Sequence, residues 1–64
     1  MLTPRQSDVL GLLARGLTNE RVAVLLGMSP VTARKHSEAA RRSLGARNTA
    51  HAVAIGLREG LIQP

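Results

Sequence analysis

The chain has 64 residues, no cysteine, no aromatic residue and a net charge of +5. That length holds one domain at most, and the missing cysteines exclude disulfides and thiolate metal sites. The two histidines, His36 and His51, do not make a zinc site alone, so neither a metal nor a cofactor is expected. No apolar run approaches the roughly 20 residues of a membrane span, and none follows a basic start as in a signal peptide.

Four helices are predicted, over about 4–15, 19–26, 30–44 and 49–59. Thr3-Pro4-Arg5-Gln6 is a start signal: a capping threonine, a first-turn proline and a glutamine that completes a capping box. Val9, Leu10, Leu13 and Ala14 follow at helical spacing, and Gly16 is a stop. Gly11 inside this helix costs about 1 kcal/mol relative to alanine. Thr18 caps a second helix carrying Val22, Ala23, Leu25 and Leu26, and Gly27 ends it. Ser29-Pro30 opens the third, which Gly45 stops. Asn48 caps the fourth, followed by Gly60 and the apolar pair Leu61-Ile62. No segment alternates with period two, so no strand is expected.

The turn between the second and third helices is only Gly27-Met28-Ser29. A short glycine-containing turn between two short helices is the helix-turn-helix pattern. Small Ala23 and Ala33 on either side let the helices cross closely. Fold class is thus all-α, a four-helix-bundle-like helix-turn-helix domain over 1–64.

Successive helical residues advance by about 100°. On that wheel Ala33, His36, Ser37, Ala40 and Leu44 face the core. The opposite side of the third helix holds Val31, Arg34, Lys35, Glu38, Arg41 and Arg42. Five of the nine basic residues lie between Arg34 and Arg47, with Glu38 the single acid among them. A merely solvated face would mix signs and pair Glu with Lys; this stripe carries four cations and one anion. It suits a major groove, where arginine bonds guanine, an apolar group meets the thymine methyl and a carboxylate accepts from cytosine. Val31, Arg34, Lys35 and Glu38 are therefore the expected base contacts. Glu38 has a plainer alternative, an i,i+4 pair with Arg34 or Arg42. Arg41, Arg42 and Arg47 are expected at phosphates, and His36, on the edge of the core side, is expected either at a phosphate or as a partly buried hydrogen-bonding residue. Without aromatic stacking platforms, duplex DNA is favoured over single strands.

In order and spacing these residues resemble the LuxR/FixJ-type helix-turn-helix domain of bacterial transcription regulators, over residues 2–62. The resemblance is carried by Leu2-Thr3-Pro4-Arg5-Gln6, by Val9-Leu10 and by Gly16 followed by Leu17-Thr18-Asn19-Glu20. It continues through Val22-Ala23, Leu26, Ser29, Thr32-Ala33-Arg34-Lys35-His36, Leu44-Gly45, Asn48, Ala52-Val53 and Gly60-Leu61-Ile62. It implies that the third helix reads the major groove, with Arg34, Lys35 and Glu38 at bases and Thr18, Asn19 and Thr32 at phosphates. It also implies a dimer contact on the fourth helix. On the wheel Thr49, Ala52, Val53, Gly56 and Leu57 face the core, so His51, Ala54, Ile55 and Arg58 form the expected weak homodimer surface. Relatives usually carry an N-terminal receiver or sensor domain. With the motif starting at residue 2, the chain is expected to be either an excised domain or a stand-alone regulator.

Four positions depart from the family pattern. Gln6 replaces an acid and Thr49 an arginine, consistent with an ion pair lost as a unit. Ala33 and Ala40 replace branched aliphatics and thin the core under the third helix. Ser7, Ser29, Ser37 and Ser43 have no base-and-orienter set around them, so no catalysis is expected. The expected function is sequence-specific binding of double-stranded DNA by a cytoplasmic, nucleoid-associated transcription regulator. The alternative is a small interaction module that binds a regulator or RNA polymerase.

Overall fold

Thr3, Thr18, Ser29 and Asn48 all stand in extended backbone, and the side-chain oxygen of each accepts the N–H three residues on. Each satisfies a backbone donor that the first helical turn leaves without a partner. In the computed structural model, which describes residues 1–63, these caps open α1 (Pro4–Ala14), α2 (Asn19–Leu26), α3 (Pro30–Ser43) and α4 (Thr49–Arg58). Pro64, the last position of the expected domain, lies outside the described residues. Three helices end one residue earlier than the sequence implied, because Arg15, Leu44 and Glu59 serve as C-caps. Gln6 closes the capping box with Thr3, its Oε1 accepting the Thr3 N–H at 3.1 Å. No hydrogen bond joins it to Thr49 among the described residues.

Gly27 makes the turn between α2 and α3 possible. Its φ is 67°, a left-handed conformation that a Cβ disfavours. The chain then doubles back so that the Met28 N–H reaches the Ala23 carbonyl at 2.9 Å, the six-to-one bond of a Schellman ending.

The core has two parts. Val9, Val22, Ala23 and Ala33 form one under the α2–α3 turn, flanked by Leu12, Leu13, Leu17, Leu26 and Met28. Leu10, Ala40, Ala46, Ala52, Ile55 and Ile62 form the other toward α4. Adjacent residues of α1, Val9 and Leu10, enter different parts, and α3 spans both through Ala33 and Ala40. Between those two alanines Ser37 is buried, and its Oγ donates back to the Arg34 carbonyl at 2.9 Å.

The fourth helix is rotated from the expected phase. Ala52, Ile55 and Gly56 are its buried residues, and Leu57 is 40% exposed. Ile55 therefore belongs to the core, not to an outward dimer surface. The cause is the tail. Leu61 N–H bonds the Gly56 carbonyl at 2.8 Å, and Ser7 Oγ donates to the Leu61 carbonyl at 3.0 Å. Ile62 is thereby folded onto Gly56, so closely that a Cβ there would lie 3.0 Å from its side chain. Gly56 has no side chain to present, so its wheel position could not show that the tail fills that space.

Ile55→Ala should lower the unfolding free energy by about 2–5 kcal/mol, whereas Leu57→Ala should cost about 1 kcal/mol or less. Urea denaturation of the two variants checks the phase of α4; equal losses would contradict it.

Candidate nucleic-acid interface

The outer face of α3 gathers most of the charge on that helix. Val31 is 55% exposed, Arg34, Lys35 and Arg42 are exposed, and Glu38 is half-buried. All five side chains line one shallow depression. The face therefore offers three cations, a carboxylate and a small branched apolar group side by side. The helix of 14 residues is about 21 Å long, and a major groove about 12 Å wide admits such a helix.

Arg41 does not join this free stripe. Its Nε and Nη2 both donate to Glu38 Oε1, at 2.9 and 2.8 Å, and its Nη1 donates to the Ala46 carbonyl at 2.9 Å. Gly45, with a φ of 65°, turns the chain so that the Ala46 carbonyl comes within reach. The sequence suggests a phosphate for Arg41 and, as the alternative to a base contact, an i,i+4 partner for Glu38 in Arg34 or Arg42. The structure corrects that pairing: the partner is Arg41, at i+3. The i,i+3 spacing was visible in the sequence, but the Ala46 carbonyl that selects Arg41 was not.

At the start of α2, Thr18 Oγ1 accepts the Arg21 N–H at 3.2 Å. Thr32 Oγ1 accepts from Ser29 Oγ at 2.9 Å. Both threonine hydroxyls keep their own proton for a further acceptor. Asn19 holds its Oδ1 out of solvent without a hydrogen-bond partner. His36 is half-buried at the edge of the core side, and Arg47 is exposed. The Arg47 N–H donates to His51 Nδ1 at 3.0 Å, which ties His51 to the α3–α4 loop. Ala54 and Arg58 are exposed, and Arg58 meets Glu59 at 3.6 Å on the surface. No helix among the described residues is long and apolar enough to cross a membrane.

Hydrogen bonds from Arg41 hold the Glu38 carboxyl below its ordinary range; the charges of Arg41 and Arg42 add to this, and desolvation opposes it. A carboxylate with a depressed folded-state pKa contributes stability that is complete above its unfolded pKa and is lost as pH falls through the lower value. The fork should therefore survive mild acid. Carboxyl chemical shifts should give Glu38 a midpoint below the usual carboxylate range, and Arg41→Ala should raise it. An unmoved midpoint would mean that the fork does not hold the charge.

The match to known proteins follows this geometry. Residues 1–55 match the family described as bacterial regulatory proteins, luxR family. The chain is 36% identical over 61 residues to the transcriptional regulatory protein MctR of Rhizobium johnstonii, covering 95% of this chain and 28% of that protein. It is 36% identical over 63 residues to the transcriptional activator protein BjaR1 of Bradyrhizobium diazoefficiens, covering 98% of this chain and 26% of that one. The chain thus spans little more than a quarter of the length of these relatives. Its fold superposes on that of the transcription factor GerE with a TM-score of 0.90 at 27% identity, covering 97% of this chain and 92% of that one. It also superposes on VqmA bound to DPO with a TM-score of 0.86 at 30% identity, covering 92% and 30%. By its helix-turn-helix geometry and by this family match, the chain belongs to the luxR family of bacterial regulatory proteins.

Proposed function

We propose that the domain binds double-stranded DNA sequence-specifically as part of a transcription regulator, with α3 lying in the major groove. One observation carries this reading: Val31, Arg34, Lys35, Glu38 and Arg42 share a single depression on the outer face of α3. Arginine at 34 suits bidentate bonding to guanine, and Val31 suits a thymine methyl. Lys35 and Glu38 complete the base-facing set. Thr18, Asn19, Thr32, His36, Arg42 and Arg47 flank it as phosphate contacts. Thr18 and Asn19 stand at the start of α2, where free N–H groups and the helix dipole favour an anion. Such a protein acts in the cytoplasm, at the nucleoid.

Homodimerisation belongs to the same reading. With Ile55 in the core, the outer face of α4 consists of Ala50, His51, Ala54, Leu57 and Arg58, all exposed. Ala50, Ala54 and Leu57 fall at i, i+4 and i+7, a continuous apolar line. A second reading, a module that binds a regulator or RNA polymerase, draws support from Val24 and Leu25, which are 69% and 53% exposed on α2.

Arg34→Ala should weaken specific binding by about 1–3 kcal/mol and relax preference at one base pair, while Arg42→Ala should weaken all sequences alike and lower the salt slope by about 1. Fluorescence anisotropy at several salt concentrations measures both. Failure of the wild type to bind any duplex at low salt would overturn the reading in favour of protein interaction. For the dimer, Leu57→Asp should reduce pairing of two domains on a palindromic duplex in sedimentation. Unchanged sedimentation would remove this face.

A further inference from the structure

A carboxylate among the cations of a DNA-facing surface is costly, because phosphates repel it. Here that carboxylate is held in a fixed place. Arg41 grips one oxygen of Glu38, Oε1, with two N–H groups, and anchors its own guanidinium a third time on the Ala46 carbonyl. Glu38 Oε2 has no hydrogen-bond partner among the described residues. The Arg41 side chain is 26% exposed and that of Glu38 is 44% exposed, so the arginine stands behind and the carboxylate in front. Glu38 lines the depression with Val31, Arg34, Lys35 and Arg42; Arg41 does not.

We propose that Arg41 is a positioning residue for base reading: it fixes Glu38 so that Oε2 accepts a hydrogen bond from the N4 amino group of a cytosine. This rests on the DNA-binding reading above and adds to it a base identity and a supporting residue. An ionised carboxylate only accepts. In the major groove only cytosine N4 and adenine N6 donate, and adenine sets its N7 acceptor beside N6, where a carboxylate meets repulsion. Cytosine is the base that remains. Its paired guanine presents O6 and N7, acceptors for the cations that share the depression with Glu38.

Arg41 also offsets the charge that would otherwise oppose binding. The Glu38–Arg41 pair is neutral as a unit, so the net positive field of the face comes from Arg34, Lys35, Arg42 and Arg47. Arg41 cannot serve a phosphate without giving up three hydrogen bonds. It is the one basic residue of α3 whose guanidinium or ammonium group is committed in this way among the described residues.

Selection from a random duplex library at one salt concentration tests the proposal, with wild type, Glu38→Gln, Arg41→Lys and Arg41→Ala run in parallel. The wild type should select cytosine at one position of its site. Glu38→Gln keeps an amide oxygen for Arg41 and turns an amino group outward, so cytosine preference at that position should fall roughly tenfold or more. A base offering an acceptor should gain there, and affinity for non-specific duplex should rise. Arg41→Lys keeps the charge and removes the fork, so preference at that same position should flatten while the rest of the profile stays. Arg41→Ala should behave alike, and thermal melting shows whether it is folded; if it is not, Arg41→Lys carries the test. A purely structural fork predicts otherwise: Arg41 variants would weaken every position equally and Glu38→Gln would leave the profile unchanged. That result would overturn the proposal and leave DNA binding intact. A wild type that enriches no duplex would overturn the DNA-binding reading itself.

Discussion

The contact between α3 and the rest of the molecule runs through small residues, Ala33, Ser37 and Ala40, and the placement of the candidate nucleic-acid interface depends on it. Ala33 and Ala40 have no exposed area, and there is no aromatic side chain in the chain to space the helices apart. Methyl groups at these two points let α3 lie close against α1 and α2. Close packing leaves little freedom to tilt, since protein interiors have few voids to absorb a shift. The outer face of α3 is thereby fixed relative to the N-terminus of α2, and the two sets of candidate contacts keep one geometry. Branched residues at 33 and 40 would need more room. Ala46 and Ile62, both outside the helices, complete the core toward α4.

Charge on α3 is organised by the same economy of space. Arg34, Lys35 and Arg42 remain solvated on the outer face, which keeps their cost low before any partner arrives. Arg41 turns toward the α3–α4 loop and meets Glu38 and the Ala46 carbonyl. The helix therefore ends in a cross-linked corner, and its basic face is narrower than the sequence alone suggests. The carbonyl of buried Ala46 orients a guanidinium.

Much of this was legible in the sequence. The four caps are local: an oxygen-bearing side chain and an N–H three residues on decide each one, so Thr3, Thr18, Ser29 and Asn48 could be read directly. The third helix was also legible, because its cations and small residues separate cleanly on a wheel. The phase of α4 was not. Its wheel carries apolar residues nearly all round, and only the returning tail, through Ile62 on Gly56, decides that Ile55 is inside and Leu57 outside. The partner of Glu38 was not legible for a related reason. Spacing showed that Arg41 could meet Glu38, but three other cations were within one turn, and only a carbonyl beyond the helix end distinguishes among them.

The divided core has a mechanical consequence. Every pair of helices is in contact except α2 with α4. A strain applied at the outer face of α4 can reach the α2–α3 turn only through α1 or along α3 itself, and α1 joins the two halves through neighbouring Val9 and Leu10. Residues that share no partner contribute independently to stability. Substitutions confined to α2 and to α4 are thus expected to add, while changes in α1 register in both halves at once. The first helix, which carries no candidate contact, thereby ties the packing behind α3 to the packing behind α4.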